Sequence, residues 1–216
     1  MKLLAVDTAL GACSVALIDD DRVLSHRHRL MDRGHAEAVA PMVEEVMRDA
    51  EASFANLGRL AVTTGPGTFT GQRVGLAFMR GLRVALRVPL VGITTLAAMA
   101  EAAKAETGLV RAIALHDARR DEVYVEIKNV LPPTAMCFDM AVGVLLDLPG
   151  DEPIAIAGTA GPRVCDALAK RFVLSCVRQP DALWVARLAR IAEAPDNPPG
   201  PLYLRAPDAK LPAARA

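Results

Sequence analysis

The stretch Thr63–Gly75, TTGPGTFTGQRVG, packs four glycines, a proline and the hydroxyls of Thr64, Thr68 and Thr70 between an apolar run and a helical pattern. Glycine-rich turns that enter helices often hold phosphates, because free backbone amides point at the anion. Two phosphate signatures are incomplete here. A GxxxxGK[ST] loop needs a lysine to reach the outer phosphates, yet Gly71 is followed by Gln72 and Arg73. A GxGxxG fingerprint finds its first two glycines in Gly65 and Gly67 but Thr70 in the third place. Two readings remain. The glycines can give a tight turn that lets helix and strand pack closely, with threonines as caps. Alternatively, the helix start holds an anion.

Other groups capable of chemistry are scattered. Asp7-Thr8 ends an apolar run, where an acid and a hydroxyl serve either a turn or a nucleotide. Asp7, Thr8, Gly65 and Gly67 are therefore the candidate nucleotide-site residues. His35 opens a helical pattern, but its i+4 position is Val39, so a two-histidine metal site on one helix face is excluded. His116–Tyr124, HDARRDEVY, is either a charged turn or the rim of a binding surface. Ala157–Pro162, AGTAGP, follows an apolar run with two glycines three apart, a weak signal. No Ser-His-Asp or Cys-His arrangement can be assembled, and no catalytic or metal-binding set is expected.

The elements that must position these groups follow from pattern. Leu3–Val6, Cys13–Ile18 and Val23–Arg29 read as a meander of strands, and His35–Ala50 as a helix with apolar steps of three and four. Leu60–Thr64 is a strand, Gln72–Arg87 a helix stopped by Pro89, and Leu90–Ile93 a buried strand. Thr94 or Thr95 caps a helix to about Glu106. Strands at Val110–Leu115, Glu122–Lys128, Ile154–Ala157 and Val173–Val177 follow, with helices at Gly161–Arg171 and Asp181–Glu193. Leu131–Pro149 reads as strand-like pieces with turns, and the proline-rich tail has no period. The expectation is an α/β chain in two lobes, 1–105 and 106–205, with a tail over 206–216.

Hydrophobic residues make up 52% of the 216 and aromatics 4%, so Ala, Val and Leu must build the core. Twenty-five basic and 25 acidic residues cancel, which leaves no global footprint for nucleic acid or an anionic membrane. Cys13, Cys137, Cys165 and Cys176 form no CxxC pair and read as buried free thiols in a reducing compartment. With no long apolar run, a cytoplasmic, non-membrane protein is expected.

The Gln72–Arg87 helix departs from a one-faced pattern. Arg73, Arg80, Arg83 and Arg87 form one stripe, and nearly every other position is apolar or small. A helix covering one side of a sheet needs a narrower apolar stripe than this. Either this helix is buried inside the domain, or its outer face belongs to a partner, with the preceding helix completing a helix-pair surface. The candidate interface residues are Val39, Met42, Val43, Val46, Arg73, Ala77, Arg80 and Gly81.

The motifs LLAVDTALGACSVAL, RGHAEAVAPMVEEVM, TTGPGTFTGQRVGLAFMRGL, GITTLAAMA, HDARRDEVY and PLYLR, in this order from Leu3 to Arg205, resemble the bacterial TsaB (YeaZ) family, which is glycoprotease-like. The resemblance implies the two-lobed fold of actin, Hsp70 and the sugar kinases. It implies a role in making threonylcarbamoyladenosine beside the anticodon of tRNAs that read codons beginning with A. It further implies a non-catalytic scaffold that pairs through helices of the N-terminal lobe with a catalytic TsaD-like paralogue. A TsaE-like ATPase joins that pair, the chain homodimerises in isolation, and tRNA is met through the complex. The paralogue's His-xxx-His metal pair is broken here by Val39. No cofactor of its own is implied, and ATP or ADP would sit at the interface with the partner. The alternative is a nucleotide-dependent kinase or hydrolase using Asp7 and the Gly65–Gly71 loop.

Overall fold

The computed structural model describes residues 1–168 and 171–205. It contains two five-stranded sheets. The first has the order β3-β2-β1-β4-β5, with β1 Lys2–Asp7, β2 Ala12–Asp19, β3 Arg22–Leu30, β4 Leu57–Gly65 and β5 Leu90–Thr94. The second has the order β10-β9-β6-β7-β8, with β6 Arg111–Asp117, β7 Glu122–Ile127, β8 Leu131–Cys137, β9 Ile154–Ala157 and β10 Phe172–Leu174. In each sheet three strands meander antiparallel, the first of them pairs in parallel with a fourth strand, and that strand pairs in parallel with a fifth. The two lobes are therefore one topology used twice.

β1 and β2 are buried on both faces, which is why they read as continuous apolar runs. Leu4, Val6, Val15 and Leu17 face α1 (His35–Asp49) and α2 (Phe69–Leu86). Leu3, Ala5, Ala16 and Ile18 face α6 (Ala182–Ile191), whose Ala182, Ala186 and Ala189 let it lie close to the sheet. In the second lobe α4 (Phe138–Leu146) and α5 (Gly161–Ala167) cover one face. On its other face, α3 (Thr95–Thr107) packs with Ala114, Ala155 and Ala157.

A division of the chain near residue 105 is thus corrected in two places. α3 precedes that boundary but packs on the second sheet, and α6 lies far beyond it but packs on the first. Each lobe lends its last helix to the space between the sheets, where α3 and α6 touch. The segment 131–149 resolves into strand β8 and helix α4. α4 escaped sequence reading because, apart from Asp139, FDMAVGVLL is apolar or glycine, so no polar face sets off its buried residues Phe138, Ala141 and Leu145. The stretch 206–216, expected as a tail, lies outside the described residues. Cys13 is buried, as expected of all four thiols, but Cys165 is half-buried and Cys137 and Cys176 are exposed. Among the described residues no helix is long and apolar enough to cross a membrane.

One arginine ties α6 to the first sheet. Arg59 on β4 donates from Nη1 to the carbonyls of Ala189 at 2.6 Å, Ala192 at 2.8 Å and Arg190 at 3.3 Å. These are the acceptors that a helix C-terminus leaves open. Arg59→Met keeps the stem and removes the donors, so it is expected to destabilise the fold by about 2 kcal/mol, read from the urea midpoint at constant slope.

Candidate functional site

The glycine loop is packed directly on the β1–β2 turn. A Cβ on Gly67 would lie 2.3 Å from the Ala9 carbonyl oxygen, and one on Gly71 would lie 2.3 Å from that of Thr8. One on Gly75 would lie 2.7 Å from Thr8 Oγ1. Three glycines at steps of four thus form one glycine face, pressed against Thr8-Ala9. Polar bonds fasten the contact: Thr68 N–H donates to Ala9 O at 2.8 Å and Thr8 Oγ1 to Gly71 O at 2.7 Å. Thr68 caps α2 by accepting from Gly71 N–H at 3.0 Å. Gly65, at φ +110°, turns the chain out of β4 and packs against the side chain of Gln72.

Asp7 and Thr8 lie beneath this contact and are buried. Asp7 Oδ1 accepts from Thr63 Oγ1 at 2.7 Å and from Ala9 N–H at 3.2 Å, while Oδ2 has no partner among the described residues. Burial pushes the carboxyl up to about 7, against the pull of those two bonds. A cleft of about 750 Å³ opens between the lobes, lined by Gly67, Thr68, Phe69, His116, Asp117 and Arg119 among others. Of the four candidate nucleotide-site residues, Gly67 lines this cleft, whereas Asp7, Thr8 and Gly65 do not.

The second lobe supplies the cleft's far wall. His116 is buried at the end of β6, its Nδ1 without a partner among the described residues, and burial lowers its pKa to about 4. Sequence analysis left His116–Tyr124 as a charged turn or the rim of a binding surface, and His116, Asp117, Ala118, Arg119 and Tyr124 line the cleft. The HDARRD turn is left-handed at three successive residues, Arg119, Arg120 and Asp121. Arg205 braces it, donating to Ala118 O at 3.0 Å and pairing with Glu122. His35, the histidine considered for metal, is buried with its Nε2 3.0 Å from Leu10 O.

The expected partner face divides in two. Val39, Met42, Val43 and Val46 are not surface residues: all four are buried in the first lobe's core, so their place in an interface is corrected. The apolar steps of three and four marked the face of α1 that meets its own sheet. On α2, Arg73, Ala77, Arg80 and Gly81 are exposed. Val84, 74% exposed, continues the stripe of Ala77 and Gly81, and a Cβ on Gly81 would meet nothing within 4 Å.

Residues 194–205, the described part of the proline-rich tail, were not legible as part of this site. They run back along one edge of α2. Arg80 donates to Pro199 O at 3.1 and 2.7 Å, Arg83 to Asp196 O at 3.3 Å, and Arg73 to the Tyr203 hydroxyl at 2.7 Å. Leu202 N–H bonds Thr64 O at 2.8 Å, which anchors the tail at the end of β4. Phe69 and Tyr203 stack at 5.6 Å between ring centroids.

Comparison with known proteins agrees with this arrangement. The family profile described as "TsaD: tRNA N6-adenosine threonylcarbamoyltransferase" matches residues 28–170. The tRNA threonylcarbamoyladenosine biosynthesis protein TsaB of Escherichia coli is 40% identical over 124 residues, covering 57% of this chain and 53% of that protein. The match thus spans about half the length of that relative. An uncharacterized Mycobacterium tuberculosis protein is 33% identical over 96% of this chain and 93% of its own. Among solved structures, a Pseudomonas aeruginosa protein described as similar to the peptidase YEAZ superposes with a TM-score of 0.83 at 30% identity, covering 94% of this chain and 99% of that one. Component A of the (R)-2-hydroxyglutaryl-CoA dehydratase of Acidaminococcus fermentans, 10% identical, shares the fold alone at a TM-score of 0.55 over 88% of this chain and 98% of its own. The repeated lobes with exchanged helices are the two-lobed architecture of actin, Hsp70 and the sugar kinases. By sequence over most of its length and by fold throughout, the chain belongs to the TsaB (YeaZ) family.

Proposed function

We propose that this chain is a non-catalytic scaffold in tRNA threonylcarbamoyladenosine formation, beside the anticodon of tRNAs reading codons that begin with A. It pairs with a catalytic TsaD-like paralogue, and the pair recruits a TsaE-like ATPase. In isolation it homodimerises by related contacts, and any ATP or ADP binds at the interface with the paralogue. It works in the cytoplasm. The observation that carries this reading is the contrast within one helix. At its start, α2 seals Asp7 and Thr8 under glycine-to-backbone contacts. Further along, Ala77, Gly81 and Val84 face outward with open space at Gly81. Small side chains let a second helix approach closely, and an exposed valine among them favours an apolar partner over water.

Reconstitution tests this directly: purified paralogue is assayed for modified tRNA with and without the chain. Gly81→Glu is expected to weaken the pair about a hundredfold, the scale of a central interface residue, and to depress modification in step. Its unfolding midpoint should stay near that of the parent, because the new side chain enters open space. Full pairing by this variant would remove α2 from the interface.

A further inference from the structure

Beside the small-residue stripe, α2 carries a second edge of different chemistry. No aspartate or glutamate occurs between Glu51 and Glu101, so the four arginines of this helix have no acidic neighbour in their own stretch of chain. Three of them are held by uncharged acceptors. Arg80 and Arg83 donate to tail carbonyls and Arg73 to a phenol. Such bonds fix a guanidinium in place and leave its charge intact. Arg87 is exposed at the helix C-cap. The tail and α2 enclose a groove of about 570 Å³, lined by Arg83, Arg87, Pro195 and Asp196 among others. Asp196 sets one carboxylate there against the arginine row. At the other end Phe69 and Tyr203 are 50% and 44% exposed, in a chain with few aromatics. Their rings lie 25° from parallel, and the Arg73 guanidinium sits 3.4 Å over the Phe69 centroid.

We propose that this seam between α2 and the tail is a direct RNA contact, with Arg73, Arg80, Arg83 and Arg87 following the phosphates and the Tyr203 end of the Phe69–Tyr203 stack receiving an unpaired base. Arg73 and Arg87 stand about 21 Å apart along the helix, enough to follow several nucleotides of a single strand. A positively charged track ending on exposed aromatic faces is how unpaired RNA is held with little sequence preference. A protein partner of acidic character would satisfy the arginines but leave the aromatic stack unexplained. The inference rests on the reading that the chain works in a tRNA-modifying complex. It adds that this subunit touches the tRNA itself.

The test uses the reconstituted pair with an unmodified tRNA transcript that reads codons beginning with A. The KM for tRNA is followed between 50 and 200 mM salt. Arg83→Gln with Arg87→Gln is expected to raise it about tenfold at 150 mM and to flatten the log–log salt slope by about 1.4, since each lost phosphate contact on a single strand removes about 0.7. Arg83→Lys with Arg87→Lys should restore the slope. Phe69→Leu should raise KM about tenfold and leave the slope unchanged, as loss of a stacked base does. If the glutamine variant matches the parent in KM and slope, the RNA contact is refuted. The same holds if it fails to co-elute with the paralogue, which would assign the arginines to protein contact. If the parent chain itself does not activate the paralogue, the scaffold reading falls and this contact falls with it. Activation by the parent with an unaltered glutamine variant overturns the RNA contact alone.

Discussion

Gly71→Ala should destabilise the protein by about 3 kcal/mol or more, and Gly81→Ala should stabilise it by up to about 1 kcal/mol, although both glycines lie in α2. The intrinsic helix preference favours alanine at each position. The surroundings decide the sign. At Gly81 a methyl group enters open space, so only the backbone entropy of glycine is removed. At Gly71 the same methyl would lie 2.3 Å from the Thr8 carbonyl oxygen and 2.6 Å from Thr68 Oγ1. A backbone carbonyl cannot swing aside as a side-chain tip can. The helix must lift from the β1–β2 turn, losing the Thr8–Gly71 bond at 2.7 Å and loosening the Thr68 cap. Thermal unfolding of the two variants checks this. For a chain of this size a 3 kcal/mol loss lowers the midpoint by roughly 10 °C. Equal midpoints for the two variants would mean that α2 does not rest on the turn. The Gly71→Ala variant should also bind the paralogue poorly, because the stripe from Ala77 to Val84 is carried by the helix that has lifted.

The outcome at these glycines marks what sequence reading could reach. The choice between an anion site and a tight packing turn was left open by spacing, because both need glycine and hydroxyls before a helix. The close packing is set by the β1–β2 turn, some sixty residues earlier in the chain, which no local pattern reports, while Gly67 and Thr68 also line the cleft. The strands of the first sheet were legible because Leu3–Val6 and Cys13–Ile18 are buried on both faces and therefore continuously apolar. The same apolar richness misled at α1. Val39, Met42, Val43 and Val46 have the period of a buried stripe, and a stripe of that period names a buried face without naming what buries it. In α2, apolar residues run around most of the helix, and there the inference of an outward face named Ala77 and Gly81, which are exposed; Val84, exposed beside them, was not named.

The exchanged helices were illegible for a related reason. α3 and α6 have short alanine faces suited to close packing on any small-residue surface. Chain order alone then suggests the nearer sheet. The repeat of one topology in both lobes was equally hidden, although it leaves a trace. The parallel strand beside the first strand of each lobe ends at a glycine of positive φ, Gly65 at +110° after β4 and Gly158 at +98° after β9. In the second lobe the approach is tighter still, since a Cβ on Gly158 would lie 1.9 Å from Leu115 O. The weak AGTAGP signal is thus the counterpart of the TTGPG loop, with the same job of letting backbone touch backbone. The tail carries no period because its contacts are made by arginines of α2 to its carbonyls, a bond that any residue type can accept.

Asp7→Asn is expected to make the protein more stable at pH 8 by about 2 kcal/mol, and to leave its support of tRNA modification intact. The sign follows from the direction of the shift. The folded-state pKa of Asp7 is about 7, above the ordinary 3.8, so between those values the folded protein keeps a proton that the unfolded chain has released. Stability therefore falls as pH rises from about 4 to about 7, by up to about 4 kcal/mol, and stays low above that range. Buried His116 acts oppositely. Its pKa lies at about 4 instead of 6.5, so its contribution to stability rises with pH across that interval and is constant above it. The two slopes oppose each other below 6.5, which is why the variant must be compared with the parent and not with a single curve. Asparagine can keep both bonds at Oδ1, from Thr63 and Ala9. Its amide then stands where Oδ2 has no partner, at a cost of roughly 1–3 kcal/mol that leaves a net gain at pH 8. At pH 5 parent and variant should be nearly equal, since the parent has by then lost only about 1.6 kcal/mol, close to what the unpartnered amide costs the variant. Urea unfolding at the two pH values measures the difference, and reconstitution with the paralogue measures function. A kinase or hydrolase that used this carboxylate would be disabled by loss of its charge, however stable the variant. Modification that disappears with Asp7→Asn while the chain stays folded and paired would therefore return Asp7 to a catalytic role.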